Sequence, residues 1–359
     1  MTEAHFIPSQ YTQTLEKGQL SWEAPSNIAL VKYWGKYGEQ LPKNASVSFT
    51  LQNCNTKTSL LFEEKDSDGF DFEVYLDGKR ESSFEPKIQK FFERVFVYLP
   101  FLKDYKFKIE TSNSFPHSSG IASSASGMSA LALCLVDLER TLSGAEGSAV
   151  DLKKASFIAR LGSGSACRSI EGDLIVWGDH IQIPDSSNLI GVKYPFEVHE
   201  NFKNYQDTIL LVDKGEKQVS STVGHDLMHN HPFAAERFKQ ANENLSKLIP
   251  ILKNGDLSEF IKIVENEALS LHAMMLTSMP YFILMKPNTL EIINRIWTFR
   301  ARTNSNICFT LDAGANVHVL YPKLEKETVS KFIKQELIQF CKNGESIEDR
   351  VGFGAFKKQ

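Results

Sequence analysis

The chain has 359 residues, 42% of them hydrophobic, and a formal charge of −4 at pH 7; it is long enough for two cores and lacks the cationic excess that a nucleic-acid surface needs. Its opening, MTEAHFIPSQ, has no basic start followed by an apolar run, and no later stretch is apolar enough to span a bilayer, so a cytoplasmic protein without a membrane partner is expected. Five cysteines, Cys54, Cys134, Cys167, Cys308 and Cys341, are scattered and never form a CxxC pair, which argues for reduced thiols over disulfides or a zinc site.

Residues 26–111 read mostly as strands. SVSFTLQ alternates Val47, Phe49 and Leu51 with polar residues, the period of a half-buried strand. FDFEVYLDGK alternates Phe70, Phe72, Val74 and Leu76 and then meets Asp77-Gly78, the chemistry of a two-residue hairpin turn. KIQKFFERVFVYL has helical spacing; helices are expected again over 127–142 and 151–161, followed by the short apolar strand DLIVWG. The turn-rich IPDSSN, residues 183–188, reads as a connection between units 1–185 and 186–359. In the second unit a strand, TILLVD, precedes helical patterns over 233–248, 257–275 and 290–300. Two strands, NICFTLDAG and VHVLY, come next, and a helix with Val329, Phe332, Ile333, Leu337 and Phe340 on one face closes it. Both halves are α+β. The tail GESIEDRVGFGAFKKQ gives no pattern.

Four stretches invite a chemical reading. NSFPHSSGIASSASG (113–127) puts unobstructed backbone N–H groups and several hydroxyls ahead of a helix expected to begin near Ser124, a cradle for phosphate oxygens; an ordinary N-cap and tight turn would read the same way. ARLGSGSACRS (159–169) repeats the glycine–serine run with Arg168 behind it, a planar fork suited to a carboxylate or phosphate. The blander fate of that arginine is a surface salt bridge, although its small neighbours leave it little shielded. SNIALVKYWGK (26–36) places Lys32 and Lys36 around an aromatic pair, where lysines usually mark a solvated face and Trp34 a core. In TLDAGANVHVL (310–320), Asp312 ends an apolar strand before a tight loop, as a turn former or as a carboxylate aimed into a cleft.

Together these four stretches resemble the motifs of the mevalonate diphosphate decarboxylases of the GHMP kinase superfamily. EKQVSSTVGH (216–225) and LHAMMLTSMPYF (271–282) agree in order and spacing. The resemblance covers roughly residues 21–321 and implies a two-domain GHMP kinase fold. The N-terminal domain would be like ribosomal protein S5 domain 2, the C-terminal one a GHMP-type α/β sandwich, with the active site in the cleft between them. It implies phosphorylation of the tertiary 3-hydroxyl of mevalonate 5-diphosphate by ATP with Mg²⁺, then loss of phosphate and CO₂ to give isopentenyl diphosphate in the mevalonate pathway, by a homodimer.

The resemblance assigns the residues as follows. Asp312 matches the catalytic aspartate, Lys32 the lysine that keeps it ionised, and Arg168 with Asn27 the grip on the substrate carboxylate. Tyr33, Lys36, Ser163, Gly164, Ser165, Ser221 and Thr222 would hold the substrate, chiefly its diphosphate. Ser119, Gly120, Ala122, Ser123 and Ser124 would hold the ATP phosphates, with Ser123 on Mg²⁺. Three positions depart from the family pattern: PHSSGIASS carries added hydroxyls, the region of Lys87 lacks a frequent arginine, and His225 stands where methionine is frequent. A 5-monophosphate substrate, a kinase without decarboxylation and a non-catalytic phosphate binder are the rival readings; kinase-only relatives lack the lysine–aspartate pair.

Overall fold

The structure is a computed structural model that describes residues 1–116, 121–213 and 221–358, excepting the side chains of Ser221 and Thr222. In chain order the first part contains β1 (Lys17–Val31), β2 (Lys36–Tyr37), β3 (Leu41–Pro42), β4 (Ser46–Glu64), β5 (Asp71–Leu76), β6 (Lys79–Arg80), α1 (Glu85–Val95), β7 (Tyr105–Asn113), α2 (Ser123–Leu142), α3 (Leu152–Gly162), β8 (Leu174–Trp177) and β9 (Gly191–Lys193). There follow α4 (Glu200–Lys203), β10 (Gln206–Leu210), α5 (Ser221–Asp226), α6 (Ala234–Asn254), α7 (Leu257–Leu276), α8 (Pro287–Thr303), β11 (Cys308–Thr310), β12 (Val317–Tyr321), α9 (Lys326–Phe332), β13 (Ser346–Arg350) and β14 (Phe356–Lys357).

The first sheet runs β14-β1-β4-β7-β5-β6, with β8 bridging β4 and β9. Among the described residues only β5 and β7 pair in parallel; the hairpin β5–β6 turns on Asp77 and Gly78, both at positive φ, as its Asp-Gly dipeptide predicts. β1 pairs with β4 from Lys17↔Glu63 to Pro25↔Asn55 and, past an irregularity, from Asn27↔Thr50 to Val31↔Val47. This slip re-aims the end of β1 towards the cleft. Helix α2 covers the sheet and is buried over most of its length, which its alanines and serines permit because they allow close approach to β1, β4 and α3.

A second antiparallel sheet, β11-β12-β10-β13, is covered at β11 by α7 and α8, and α6 packs on α7 and on β1 and β4 of the first sheet. Val47, Phe49 and Leu51 of β4 share a core with Ile209, Leu245, Leu248 and Leu320 of this second part. The alternation in SVSFTLQ is therefore real, but Ser46, Ser48 and Thr50 on its polar face are buried too, because they face the cleft elements and not solvent. The closing helix is shorter than its apolar spacing predicts: α9 passes into a π turn, Ile333–Leu337, and leaves Phe340 half-buried. The tail is ordered into β13, which completes the second sheet, and β14, which returns to β1 of the first. Among the described residues no helix is long and apolar enough to cross a membrane.

Candidate active site

Lys32, one residue beyond β1, and Asp312, two beyond β11, meet across the two sheets: Nζ lies 3.1 Å from Oδ1, with the lysine 2% exposed and the aspartate 27%. The main chain of Lys32 is pinned on both sides. Its N–H donates to Glu267 Oε2 at 2.8 Å, and its carbonyl accepts from Asn44 Nδ2 at 3.0 Å. Glu267, buried on α7, is gripped by Nη1 and Nη2 of Arg237 and accepts from Asn244 Nδ2 at 2.6 Å. Burial depresses the Lys32 pKa, opposed by Asp312 and Glu267 and reinforced slightly by the nearby Arg168 charge. His272 Nε2 donates to the Asp312 carbonyl at 3.2 Å, and burial pushes its pKa down to about 4, so the ring is neutral at pH 7.

Arg168 sits in the two turns of 3₁₀ helix, Gly164–Ser169, that follow α3. It is 4% exposed and lies over Trp177, with Cζ 5.8 Å from the ring centroid. The expectation of a little-shielded arginine, or of a surface ion pair, is thus corrected: the small residues flank it in sequence, but Trp177 and β4 enclose it in space. Nη1 donates to Ser46 Oγ at 2.5 Å and Nε to Asn27 Oδ1 at 3.3 Å. Asn27 Nδ2 in turn donates to Ser169 Oγ at 2.8 Å, so the guanidinium plane is fixed by a neutral network, and no carboxylate of the described residues forms an ion pair with it. Both Arg168 and Lys32 feel the Asp312 charge, which places all three in one cleft.

Tyr33 and Lys36 form the next wall. A Cβ on Gly164 would stand 2.7 Å from Trp177 and 3.0 Å from the Tyr33 hydroxyl, so only glycine lets these rings approach the loop. Ser163 and Ser165 flank it, both half-buried. Lys36 lies 3.9 Å from Asp226 of α5. Lys87, near which the family pattern has a frequent arginine, is exposed on α1, whereas Arg94, two turns on, is the α1 cation felt by Lys36; its Nε bonds Glu39 at 2.8 Å. Sequence reading passed over Arg94 because nothing in a polar helix face distinguishes one cation from another.

At the serine loop, α2 begins at Ser123 behind Ala122, whose φ of 47° puts it in the left-handed region. The N-cap position is thus an alanine, and neither Ser123, half-buried, nor Ser124, exposed, serves as the cap. In the first turn of this 20-residue helix Ser124 is exposed and Ser123 half-buried, whereas Ser126 is buried against Thr56; a helix N-terminus of this kind offers N–H groups to an anion. Among the described residues no three His, Cys, Asp or Glu groups converge as a metal cage. Ser119 and Gly120 lie outside the described residues, as do the side chains of Ser221 and Thr222.

Two family models match the chain: the diphosphomevalonate decarboxylase-like N-terminal domain over residues 24–188 and the mevalonate 5-diphosphate decarboxylase C-terminal domain over 208–353. The diphosphomevalonate decarboxylase of Candida albicans is 30% identical over 322 residues, 85% of each chain. A solved structure described as MDDEF in complex with MVAPP, AMPPCP and magnesium superposes with a TM-score of 0.80 at 29% identity, covering 95% of this chain and 100% of that one. The mevalonate diphosphate decarboxylase from Staphylococcus aureus does so with a TM-score of 0.80 at 27% identity, over 96% and 98%.

Proposed function

This chain belongs to the diphosphomevalonate decarboxylase family, and from that premise we infer that it converts mevalonate 5-diphosphate to isopentenyl diphosphate with ATP and Mg²⁺, releasing ADP, phosphate and CO₂. The observation that carries the reading is the Lys32–Asp312 pair, with the lysine buried and the aspartate partly open to the cleft. A tertiary alcohol is a poor nucleophile, and Asp312 orients it and takes its proton. Lys32 holds that carboxylate ionised and offsets charge on the transferring phosphoryl group. ATP supplies that phosphoryl group, which turns the hydroxyl into a leaving group, and Mg²⁺ neutralises the phosphate charge.

Arg168 holds the C1 carboxylate until the phosphate departs. Its pre-set plane, anchored on Asn27 and Ser46, suits bidentate recognition. The electron-deficient carbon left by the departing phosphate then draws the electrons of the bond to CO₂. Tyr33, Lys36, Ser163, Gly164, Ser165, Ser221 and Thr222 take the diphosphate in this scheme, and Ser119, Gly120, Ala122, Ser123 and Ser124 the ATP phosphates, with Ser123 on Mg²⁺. A coupled ATPase and CO₂-release assay run in parallel on mevalonate 5-diphosphate and mevalonate 5-phosphate tests the reading; preference for the monophosphate would overturn it.

Three further proposals complete the picture. A division into units 1–185 and 186–359 is supported by two family models that leave only 189–207 between them, although β9 and β14 from beyond it join the first sheet. Five buried, unpaired cysteines support a reducing, cytoplasmic setting. Exposed apolar side chains such as Met279, Tyr281 and Ile283 support a homodimer, which sedimentation would test.

A further inference from the structure

His225 is the last residue but one of α5, yet its ring is buried against the first part of the chain, between the side chains that line the substrate wall. Its centroid lies 4.2 Å from that of Tyr33 and 4.6 Å from that of Trp34. The preceding Gly224 lets the helix come this close, because a Cβ there would stand 2.6 Å from the Trp34 ring. Gly35 N–H donates to His225 Nδ1 at 2.9 Å. A nitrogen that accepts carries no proton, so the neutral ring carries its proton on Nε2. Burial pushes the His225 pKa down to about 3, with the charges of Lys36 and Arg168 adding to the effect, so this tautomer holds at pH 7. Nε2 makes no hydrogen bond among the described residues.

An N–H near two cations, on a largely buried ring that packs against Tyr33 in the wall that carries Lys36, is placed to donate to an anion. We propose that His225, through Nε2–H, is a neutral hydrogen-bond donor to the phosphate-bearing end of the substrate beside Lys36. The proposal rests on the reading that the cleft takes mevalonate 5-diphosphate. It gives His225 two distinct jobs: Nδ1 fastens α5 to the segment Tyr33–Lys36, and Nε2 adds to the anion site without adding charge. A methionine at this position would keep the packing and lose both.

Two amide variants separate the jobs, because the amide of asparagine stands near Nδ1 of a histidine and that of glutamine near Nε2. The experiment is calorimetric titration of the full chain with mevalonate 5-diphosphate in the absence of ATP. His225→Phe, which keeps the ring, is expected to weaken binding by roughly 10- to 100-fold, the loss typical of a hydrogen bond to a charged group. His225→Gln should recover most of it and His225→Asn should not. Recovery by asparagine and not by glutamine would reduce His225 to a fastening residue and overturn the proposal, as would equal affinity in all four proteins. The unaltered chain supplies a second readout that no folding defect can confuse: its His225 Nε2–H resonance should move on adding mevalonate 5-diphosphate and stay put on adding mevalonate. No shift with the diphosphate contradicts the proposal. If the unaltered chain fails to bind mevalonate 5-diphosphate at all, it is the functional reading that fails, and it is told apart because no variant is involved.

Discussion

Two carboxylates, Glu267 and Asp312, join the two halves of this molecule through the same residue, Lys32, and they do so in opposite styles. Glu267 is 0% exposed and saturated, accepting from the Lys32 N–H, from both sides of Arg237 and from Asn244. Asp312 meets the Lys32 ammonium at 3.1 Å and keeps 27% of its side chain exposed. A buried charge with every lone pair engaged is a fixed part of the frame, and removing one partner strands the other. A carboxylate that meets a buried cation on one side and stays partly exposed to solvent is placed where chemistry can reach it. The difference sets an enclosed ion pair apart from a partly exposed one, the one to which we assign the chemistry, although both lie in a single strip of the fold.

The contrast breaks most sharply at Asp312. Asp312→Asn is expected to lower turnover by about 10²–10⁴-fold, the range for losing a positioned acid–base group, in a chain that still folds. Near-normal turnover in a folded variant would make Asp312 a turn residue. Glu267→Ala should act the other way round, losing about 3–5 kcal/mol of stability in urea unfolding because the Arg237 charge is left buried and unpaired. If its stability is intact and only turnover falls, Glu267 belongs with Asp312 and the comparison fails. Arg168→Lys keeps the charge and loses the fork, so turnover should fall by roughly 10–100-fold with the KM for ATP unchanged; an unchanged rate would show that the carboxylate is held elsewhere.

The smallest effect is in pH. His272, which supports the Asp312 loop, has its folded pKa lowered to about 4 from an ordinary 6.5. The unfolded chain therefore binds the proton first, and the stability that His272 contributes is present above pH 6.5 and lost as pH falls towards 4. About 1 kcal/mol should be lost between roughly pH 7 and 5.5 from this group alone. His272→Gln should flatten that slope in chemical unfolding followed against pH; an equal slope in both proteins would mean that other groups govern it.

Much of this was legible in the sequence, for identifiable reasons. Long periodic elements such as α2, α7 and the β5–β6 hairpin carry their own signals, and the motifs around Lys32, Arg168 and Asp312 belong to a family. What links them is absent from any local window, since Lys32 and Asp312 are 280 residues apart. Glu267 had a signal that went unused: it falls on the apolar stripe of α7 with Phe260, Val264 and Leu271, all buried, where a solvated acid has no place. The tail strands could not be read, because β14 is two residues long and exists only through its pairing with β1. Arg168 was found as a residue and misjudged in its surroundings, since Trp177 approaches it only through the fold.

The most direct test of the account is to supply mevalonate 5-diphosphate labelled at its carboxyl carbon, with ATP and Mg²⁺, and to count both products in the same reaction. Labelled CO₂ and ADP should appear in equal amounts. ADP formed without labelled CO₂ would show a kinase that stops at the phosphorylated alcohol, and would contradict the assignment of Arg168, Lys32 and Asp312 to one decarboxylating site.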